Sequence, residues 1–270
     1  MPVVTIEGKQ ITVVEGTTIL EAARRARVWI PTLCHNPALS VRAACRICMV
    51  EVGQGEPWQL VTACNYPVRR DLTVRVESEK AVRIRRGVAE LLLARSPESK
   101  ELRALASRMG VESSRYPTVT QSVRNCVLCG LCVAVCEEII GASAIGFQGR
   151  GVDRVVGEPF AKATETCIAC GACAAICPVG TIEVRVDQAA GVAELVPFKA
   201  RVKLSLCAEC GKRTVSPAVA AAAAAKVNMD WERFKELARL CPECRRKHAA
   251  ASISQVAARS AVTTTLEKES

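Results

Sequence analysis

The chain has 270 residues, a formal net charge of +10 and 16 cysteines, but only nine aromatic residues. So few large rings cannot build the core of each small domain, and metal centres are the usual substitute. The first residues lack a basic start followed by an apolar stretch, and no apolar run is long enough to cross a bilayer. The sequence therefore predicts a cytoplasmic protein without a secretory signal or a membrane span, in which close cysteine pairs bind metal rather than form disulfides.

The chain begins with the pattern of a hairpin and a helix. Apolar and polar residues alternate around Gly8–Lys9, which predicts a β-hairpin. Apolar residues then recur at helical spacing, with Thr17 or Thr18 as the N-cap. The predicted buried face of this helix comprises Ile19, Leu20, Ala23 and Ala26.

Four cysteines follow in "IPTLC", "ACRICMVEV" and "TAC", before a last alternating strand, "LTVRVES". Hairpin, helix, cysteine loop and strands indicate a β-grasp domain over residues 1–78. The stretch resembles the plant-type [2Fe–2S] domain, in the version found in an iron–sulfur subunit of NADH–quinone oxidoreductase (complex I), whose first cysteine gap is longer. The resemblance implies that one [2Fe–2S] cluster is held by Cys34, Cys45, Cys48 and Cys64.

Three other residues of this stretch bear on the predicted cluster site. Ala43 and Ala44 stand where that family tends to have a glycine, which is expected to stiffen the loop without removing the cluster. His35 follows Cys34 directly, but four thiols already complete the site, so His35 is expected to lie beside it.

Residues 79–115 are predicted to form a helical connector. Its first helix is expected to bury Val82, Val88, Leu91 and Leu92. For the second helix, Ser96 is the predicted N-cap, Pro97 the first residue and Gly110 the stop. The predicted buried face of this second helix comprises Leu102, Leu105, Ala106 and Met109.

The connector contains neither Cys nor His. In the complex I family, a His and three Cys at this point hold a further [4Fe–4S] cluster, so the resemblance implies that one cluster is missing here. Either the flanking cluster domains pack closer together, or a partner subunit bridges them.

Two cysteine quartets follow, both with the spacing C-x2-C-x2-C-x3-C. This spacing is typical of [4Fe–4S] clusters, in which the fourth cysteine of each quartet ligates the other cluster. The fourth cysteine is expected to begin a helix. Two complete quartets argue against two zinc sites. The predicted ligand sets are Cys126, Cys129, Cys132 and Cys177 for one cluster, and Cys167, Cys170, Cys173 and Cys136 for the other.

Residues 116–198 resemble the bacterial two-cluster ferredoxin in these quartets. Gly130 and Gly171 follow the second cysteine of each quartet and allow the backbone to bend around a cluster. The chain departs from that family at Glu137, where a proline commonly follows the fourth cysteine.

Residues 199–250 carry two further C-x2-C pairs, thirty-one residues apart, around an Ala-rich helix and a second amphipathic helix. Such pairs predict a four-cysteine zinc site, and the same thiols could instead hold a further iron–sulfur cluster. His248 is a weaker candidate for a ligand. The predicted ligands are Cys207, Cys210, Cys241 and Cys244. Residues 251–270 are expected to form a tail.

The predicted fold class is α+β, with the four modules in that order. Over residues 1–190 the chain resembles the small iron–sulfur subunits of NAD-linked hydrogenases and formate dehydrogenases. The resemblance implies an electron-transfer subunit without a substrate-converting site, between a flavin/NAD(H)-binding subunit, a thioredoxin-like [2Fe–2S] subunit and a catalytic subunit.

Two other functions remain open. One is a subunit of an electron-bifurcating or heterodisulfide-reductase-like complex, with the same cofactors and other partners. The other is a redox sensor or nucleic-acid-binding protein that uses its clusters structurally. The net charge is its only support, and because the arginines are scattered, an acidic protein partner is favoured over nucleic acid.

Overall fold

The computed structural model describes residues 1–119, 125–161, 166–227 and 230–251. The chain divides into two compact units. One comprises Met1–Thr166 with Gly171–Glu183, and the other comprises Cys167–Cys170 with Val184–Ser270. Within the described ranges, no helix is both long and apolar enough to span a membrane.

The first unit begins with a five-stranded mixed sheet, ordered β2-β1-β5-β3-β4. Its strands are β1 (Val3–Ile6), β2 (Lys9–Thr12), β3 (Met49–Gly53), β4 (Gln59–Thr62) and β5 (Leu72–Arg75). The predicted hairpin is confirmed: β1 and β2 pair antiparallel, and their turn lies at Glu7–Gly8, one residue earlier than expected. Both turn residues have positive φ, as a tight hairpin turn requires.

Helix α1 (Ile19–Arg25) packs on this sheet and begins as predicted at Thr18. The Thr18 hydroxyl accepts the Glu21 N–H, while the Glu21 carboxylate accepts the Thr18 N–H, which is a complete capping box. Ile19, Leu20 and Ala23 are buried as expected. The N–H of Leu20 donates to Ala63 O over 2.9 Å, so α1 is tied to the segment that carries Cys64.

The connector forms two helices, α2 (Glu79–Arg95) and α3 (Lys100–Arg108). The predicted inner face of α2 is wrong, since Leu91 is 53% exposed. The buried face of α2 comprises Ala81, Arg85, Ala89, Leu93 and Ala94. Arg85 can lie there because its guanidinium pairs with Glu77 over 3.0 Å.

The predicted cap of α3 is also wrong. Ser99 caps α3 by accepting the Leu102 N–H, while Ser96 ends α2. Leu102 and Ala106 are buried as predicted, and Gly110 follows the end of α3 with φ 74°.

The rest of the first unit consists of short elements around the quartets. They are α4 (Leu131–Ala134), a π-helix (Val135–Ile140), β6 (Gly146–Gln148), a 3-10 turn (Gly151–Asp153), β7 (Val155–Gly157), a 3-10 turn (Pro159–Ala161) and α5 (Ala172–Ile176). Strands β6 and β7 form an antiparallel ribbon.

The second unit contains an antiparallel sheet and the last helices. The elements are β8 (Glu183–Asp187), β9 (Val192–Val196), β10 (Ala200–Lys203), α6 (Pro217–Lys226), α7 (Trp231–Ala238) and a helix over residues 242–251. Strands β9 and β10 pair on either side of residues 197–199. The Ala-rich helix α6 forms as predicted, capped by Ser216. Most of the predicted tail, residues 252–270, lies outside the described residues.

Candidate iron–sulfur and metal sites

The first four cysteines lie in loops beside β3 and β4, and all four are buried. Cys48 directly precedes β3. The pairing of Met49 with Thr62 brings Cys48 next to the end of β4, where the Ala63 N–H donates to Cys48 O over 3.0 Å. Cys64 follows Ala63, so the sheet register itself brings Cys48 and Cys64 together.

These four thiols associate as two pairs. The thiol of Cys45 donates to Cys34 and lowers the pKa of Cys34 to about 6, and the Cys45 N–H lies 3.4 Å from Cys34 Sγ. In the same way, the thiol of Cys64 lowers the pKa of Cys48 to about 7. Two thiol pairs fit a [2Fe–2S] cluster, which four cysteine thiolates hold.

The loop that carries Cys45 is bent by two residues in the left-handed region. Ala43 has φ 47° and Arg46 has φ 59°. An L-residue other than glycine pays roughly 1–2 kcal/mol for this conformation. The positive φ of Ala43 therefore explains why the family that this stretch resembles tends to have a glycine here.

We predict that Ala43→Gly keeps or raises thermal stability, because it relieves this backbone strain. The midpoint of anaerobic thermal unfolding should rise by about 1–3 °C for a gain near 0.5–1 kcal/mol. The matched control is Ala44→Gly, since Ala44 is exposed and has no positive φ. Ala44→Gly should lower the midpoint, and an equal drop in both variants would contradict the assignment of strain to Ala43.

The two quartets repeat the same backbone pattern. Leu128 and Gly130 are left-handed, with φ 54° and 79°, and α4 begins directly after Gly130. In the second quartet, Ala169 and Gly171 have φ 48° and 76°, and α5 begins directly after Gly171. The same torsions recur at the same spacing, which indicates that the two loops have the same role.

The fourth cysteines do not begin helices, contrary to the prediction. Cys136 lies inside the π-helix, and Cys177 directly follows α5. Each fourth cysteine accepts a backbone N–H: Ala144 N lies 3.3 Å from Cys136 Sγ, and Thr181 N lies 3.3 Å from Cys177 Sγ. Such N–H···S bonds hold a ligand in place and tune the metal group that it binds.

Cys177 lies near the first loop. Burial, together with the negative charges of Cys177 and Cys126, raises the pKa of Cys129 to about 12. Burial likewise raises the pKa of Cys126, again with a contribution from Cys177. Bringing several thiolates into one buried site is therefore unfavourable without a positively charged metal group, which fits a cluster.

The end of α2, in the middle of the connector, holds the first loop at Asn125, the residue before Cys126. The carbonyl of Asn125 accepts hydrogen bonds from the Ser96 hydroxyl, over 2.9 Å, and from the Thr181 hydroxyl, over 2.5 Å. Arg95 Nε donates to Cys126 O over 3.1 Å. The connector thus positions the first loop, although it has no ligand of its own.

We predict that the double variant Ser96→Ala/Thr181→Val loosens the first loop, since it removes both hydroxyl donors to Asn125 O. The loss should be about 1–3 kcal/mol, from two hydrogen bonds at roughly 1 kcal/mol each. Bleaching of [4Fe–4S] absorption on anaerobic heating should accelerate, while the [2Fe–2S] signal persists. The control is Ser107→Ala, which removes an exposed hydrogen bond to Glu112. If the [4Fe–4S] absorption bleached equally fast in the two variants, the role assigned to Asn125 would be refuted.

The loop between Cys34 and Cys45 contacts the first quartet directly. Ser40 N donates to Glu138 Oε2 over 2.8 Å. Arg42 Nη2 lies 3.7 Å from Glu137 Oε2 and 3.8 Å from Glu138 Oε1. Negative charge on Cys34 also contributes to the raised pKa of Cys129. The two cysteine regions are therefore in direct contact.

The four C-terminal cysteines converge. Their sulfur atoms all lie within 4.8 Å of one another, and Cys210 Sγ is 3.7 Å from Cys241 Sγ. N–H groups of Cys210 and Cys241 lower the pKa of Cys207 to about 6, and the Cys241 N–H lies 3.2 Å from Cys207 Sγ. The twelve other cysteines all fall within the described ranges and form no group this tight.

Neither histidine joins a cysteine set. His35 Nδ1 lies 3.4 Å from an Arg24 nitrogen, as expected for a residue beside the site. His248 Nε2 lies 2.7 Å from Glu209 Oε2, on the exposed side of the C-terminal module. Sequence reasoning missed Arg42, Asn125 and Glu138, because their partners are distant in the chain and no motif marks them.

Two family models match the chain. Residues 3–79 match a 2Fe-2S iron-sulfur cluster binding domain, and residues 118–178 match a 4Fe-4S dicluster domain. A relative is NADPH-Fe(3+) oxidoreductase subunit alpha of Geobacter sulfurreducens, 36% identical over 57% of this chain and 21% of the relative. Another is NADP-reducing hydrogenase subunit HndD of Solidesulfovibrio fructosivorans, 33% identical over 59% of this chain and 32% of the relative.

The chain is therefore similar in sequence to part of each of these NAD(P)-linked oxidoreductase and hydrogenase subunits. The NADH-ubiquinone oxidoreductase 78 kDa subunit of Candida albicans is also similar, at 29% identity over 57% of this chain and 24% of that subunit. The chain spans about a fifth to a third of the length of these relatives.

A solved structure shares the fold. It is a chain of an NAD+-reducing [NiFe]-hydrogenase in the H2-reduced state, with a TM-score of 0.52 and 24% identity, covering 86% of this chain and 98% of that one. The likeness extends beyond the two matched domains.

Proposed function

We propose that this chain is an electron-transfer subunit that carries one [2Fe–2S] and two [4Fe–4S] clusters. It would connect a flavin/NAD(H)-binding subunit, with a thioredoxin-like [2Fe–2S] subunit, to a separate catalytic subunit. The clusters would supply one-electron chemistry, while the chain supplies ligands, N–H donors and the spacing between sites. The relatives that name NADH, NADPH or NADP support this choice of partners.

The observation that carries the proposal is the direct contact between the first two cysteine regions. Ser40 and Arg42 reach Glu137 and Glu138, which adjoin Cys136. This contact supports the closer packing of cluster domains over a bridging partner, and gives a continuous path through the chain.

The crossed ligand sets remain part of this proposal. Burial raises the pKa of Cys126, Cys129 and Cys132, and the charge of Cys177, the fourth cysteine of the second quartet, adds to the increase in all three, which supports its place beside them. Cys136 with Cys167, Cys170 and Cys173 would hold the other cluster. The domain organisation follows: a [2Fe–2S] domain over 1–78, a connector over 79–115, a two-cluster domain after it, and the metal module.

We infer that the C-terminal site holds one zinc ion. Four thiolates around a tetrahedral zinc, with Zn–S bonds near 2.3 Å, lie about 3.8 Å apart. The 3.7 Å separation of Cys210 and Cys241 fits that spacing, whereas a cubane spreads its four thiolates farther apart. The sixteen cysteines, all within the described residues, form no disulfide, which suits the reducing cytoplasm that we propose as the compartment.

We predict the metal content of the anaerobically purified chain. One binuclear and two cubane clusters give 2 + 4 + 4, or about 10 iron and about 10 acid-labile sulfide, with about one zinc. The control Cys210→Ser/Cys244→Ser should lose the zinc and keep the iron.

Three outcomes would contradict parts of this account. About 14 iron without zinc would make the C-terminal site a fourth cluster. Little iron or sulfide would refute the electron-transfer function. Substrate conversion by the lone chain would show a catalytic site that the proposal denies.

A further inference from the structure

Arg42 belongs to the loop between Cys34 and Cys45, yet its side chain lies against the first quartet. A Cβ atom at Gly130 would lie only 3.0 Å from Arg42 Cδ, so the arginine stem packs on the backbone next to Cys129. Gly130 also has φ 79°, which excludes most side chains for a second reason. Arg42 therefore occupies the space directly beside a cluster-binding loop.

The guanidinium of Arg42 is only partly satisfied. Its Nη2 faces the carboxylates of Glu137 and Glu138, and the Ser40 N–H donates to the Glu138 carboxylate. Its Nε is buried, and among the described residues it finds no hydrogen-bond partner. A buried donor without a partner destabilises a protein by about 1–3 kcal/mol, so an acceptor is expected at this place.

Cluster sulfurs are the acceptors that fit. Cys129 directly precedes Gly130, and the cluster that it would hold presents sulfide and thiolate sulfurs to the surrounding N–H groups. N–H···S bonds and nearby positive charge both favour the reduced cluster, which carries one more electron.

We propose that Arg42 tunes the [4Fe–4S] cluster of the first quartet, by donating its Nε–H to a sulfur of that cluster and placing a positive charge beside it. The inference rests on the proposed function. Because Arg42 comes from the [2Fe–2S] domain, that domain helps to set the reduction potential of the next centre along the chain.

The test is an anaerobic redox titration of the full chain, followed by electron paramagnetic resonance. The signal of the first-quartet cluster is assigned by its loss in Cys129→Ser. In Arg42→Gln, the equilibrium constant for reducing that cluster should fall about tenfold, which is about 59 mV for one electron. In Arg42→Lys, which keeps the charge without the Nε–H, this equilibrium constant should fall roughly threefold.

The matched control is Arg46→Gln. Arg46 is exposed four residues further along, between Cys45 and Cys48, and like Arg42 it carries one positive charge. Its loss should change the constant less than about twofold. The other two clusters should stay within about twofold of wild type in all variants.

Several outcomes would overturn the inference. A change in Arg42→Gln no larger than in Arg46→Gln would do so while leaving the proposed function intact. If the reduction equilibria of all three clusters changed by the same factor, the effect of Arg42 would be general and not local to the first-quartet cluster. If Arg42→Gln fails to assemble the cluster, the test rests on Arg42→Lys. An unchanged equilibrium constant for reducing the cluster in Arg42→Lys would then refute the inference. Absence of cluster signals in wild type would refute the proposed function and, with it, this inference.

Discussion

The contact between the loop around Arg42 and the π-helix Val135–Ile140 is the interaction on which the first unit depends. It joins residues almost one hundred positions apart, and it links two regions that fold around separate cysteine sets. The ion pairs are partly exposed and contribute little energy by themselves. Their importance is geometric, since they hold the loop around Arg42 against the end of the first quartet, in a chain whose connector contains neither Cys nor His.

The cysteine loops share one physical solution. Close approach of a backbone to a metal group needs N–H groups turned inward, and left-handed residues provide that turn. Leu128 and Ala169 adopt this conformation at the cost of strain, and the glycines that follow adopt it freely. Many close thiols also repel each other when ionised, so the metal groups and the folded loops stabilise one another.

The connector shows how a segment can keep a structural role without a ligand. Helices α2 and α3 contain neither Cys nor His, but the end of α2 still supports the first quartet through Arg95 and Ser96. In the second unit, four converged thiols with Leu240 packed against them link the segment of Cys207 and Cys210 to that of Cys241 and Cys244.

Much of the cysteine chemistry could be predicted from sequence, because spacing alone separates the quartets from the C-x2-C pairs. The hairpin, α1 with its Thr18 cap, and α6 could also be predicted from sequence, since local signals determine them. The inner face of α2 was not, because buried Arg85 depends on a partner, Glu77, outside the helix. Ser96 was a plausible cap for α3, but its hydroxyl donates to Asn125 O, a contact that no local pattern reveals.

The central claim is that the [2Fe–2S] centre and the first-quartet cluster are neighbours. The most direct measurement is electron paramagnetic resonance of the fully reduced chain, at several temperatures and microwave powers. The account predicts that the [2Fe–2S] signal relaxes faster when the first-quartet cluster is paramagnetic, and that Cys129→Ser abolishes this enhancement. Identical relaxation in wild type and Cys129→Ser would show that the two centres are not adjacent and would contradict the account.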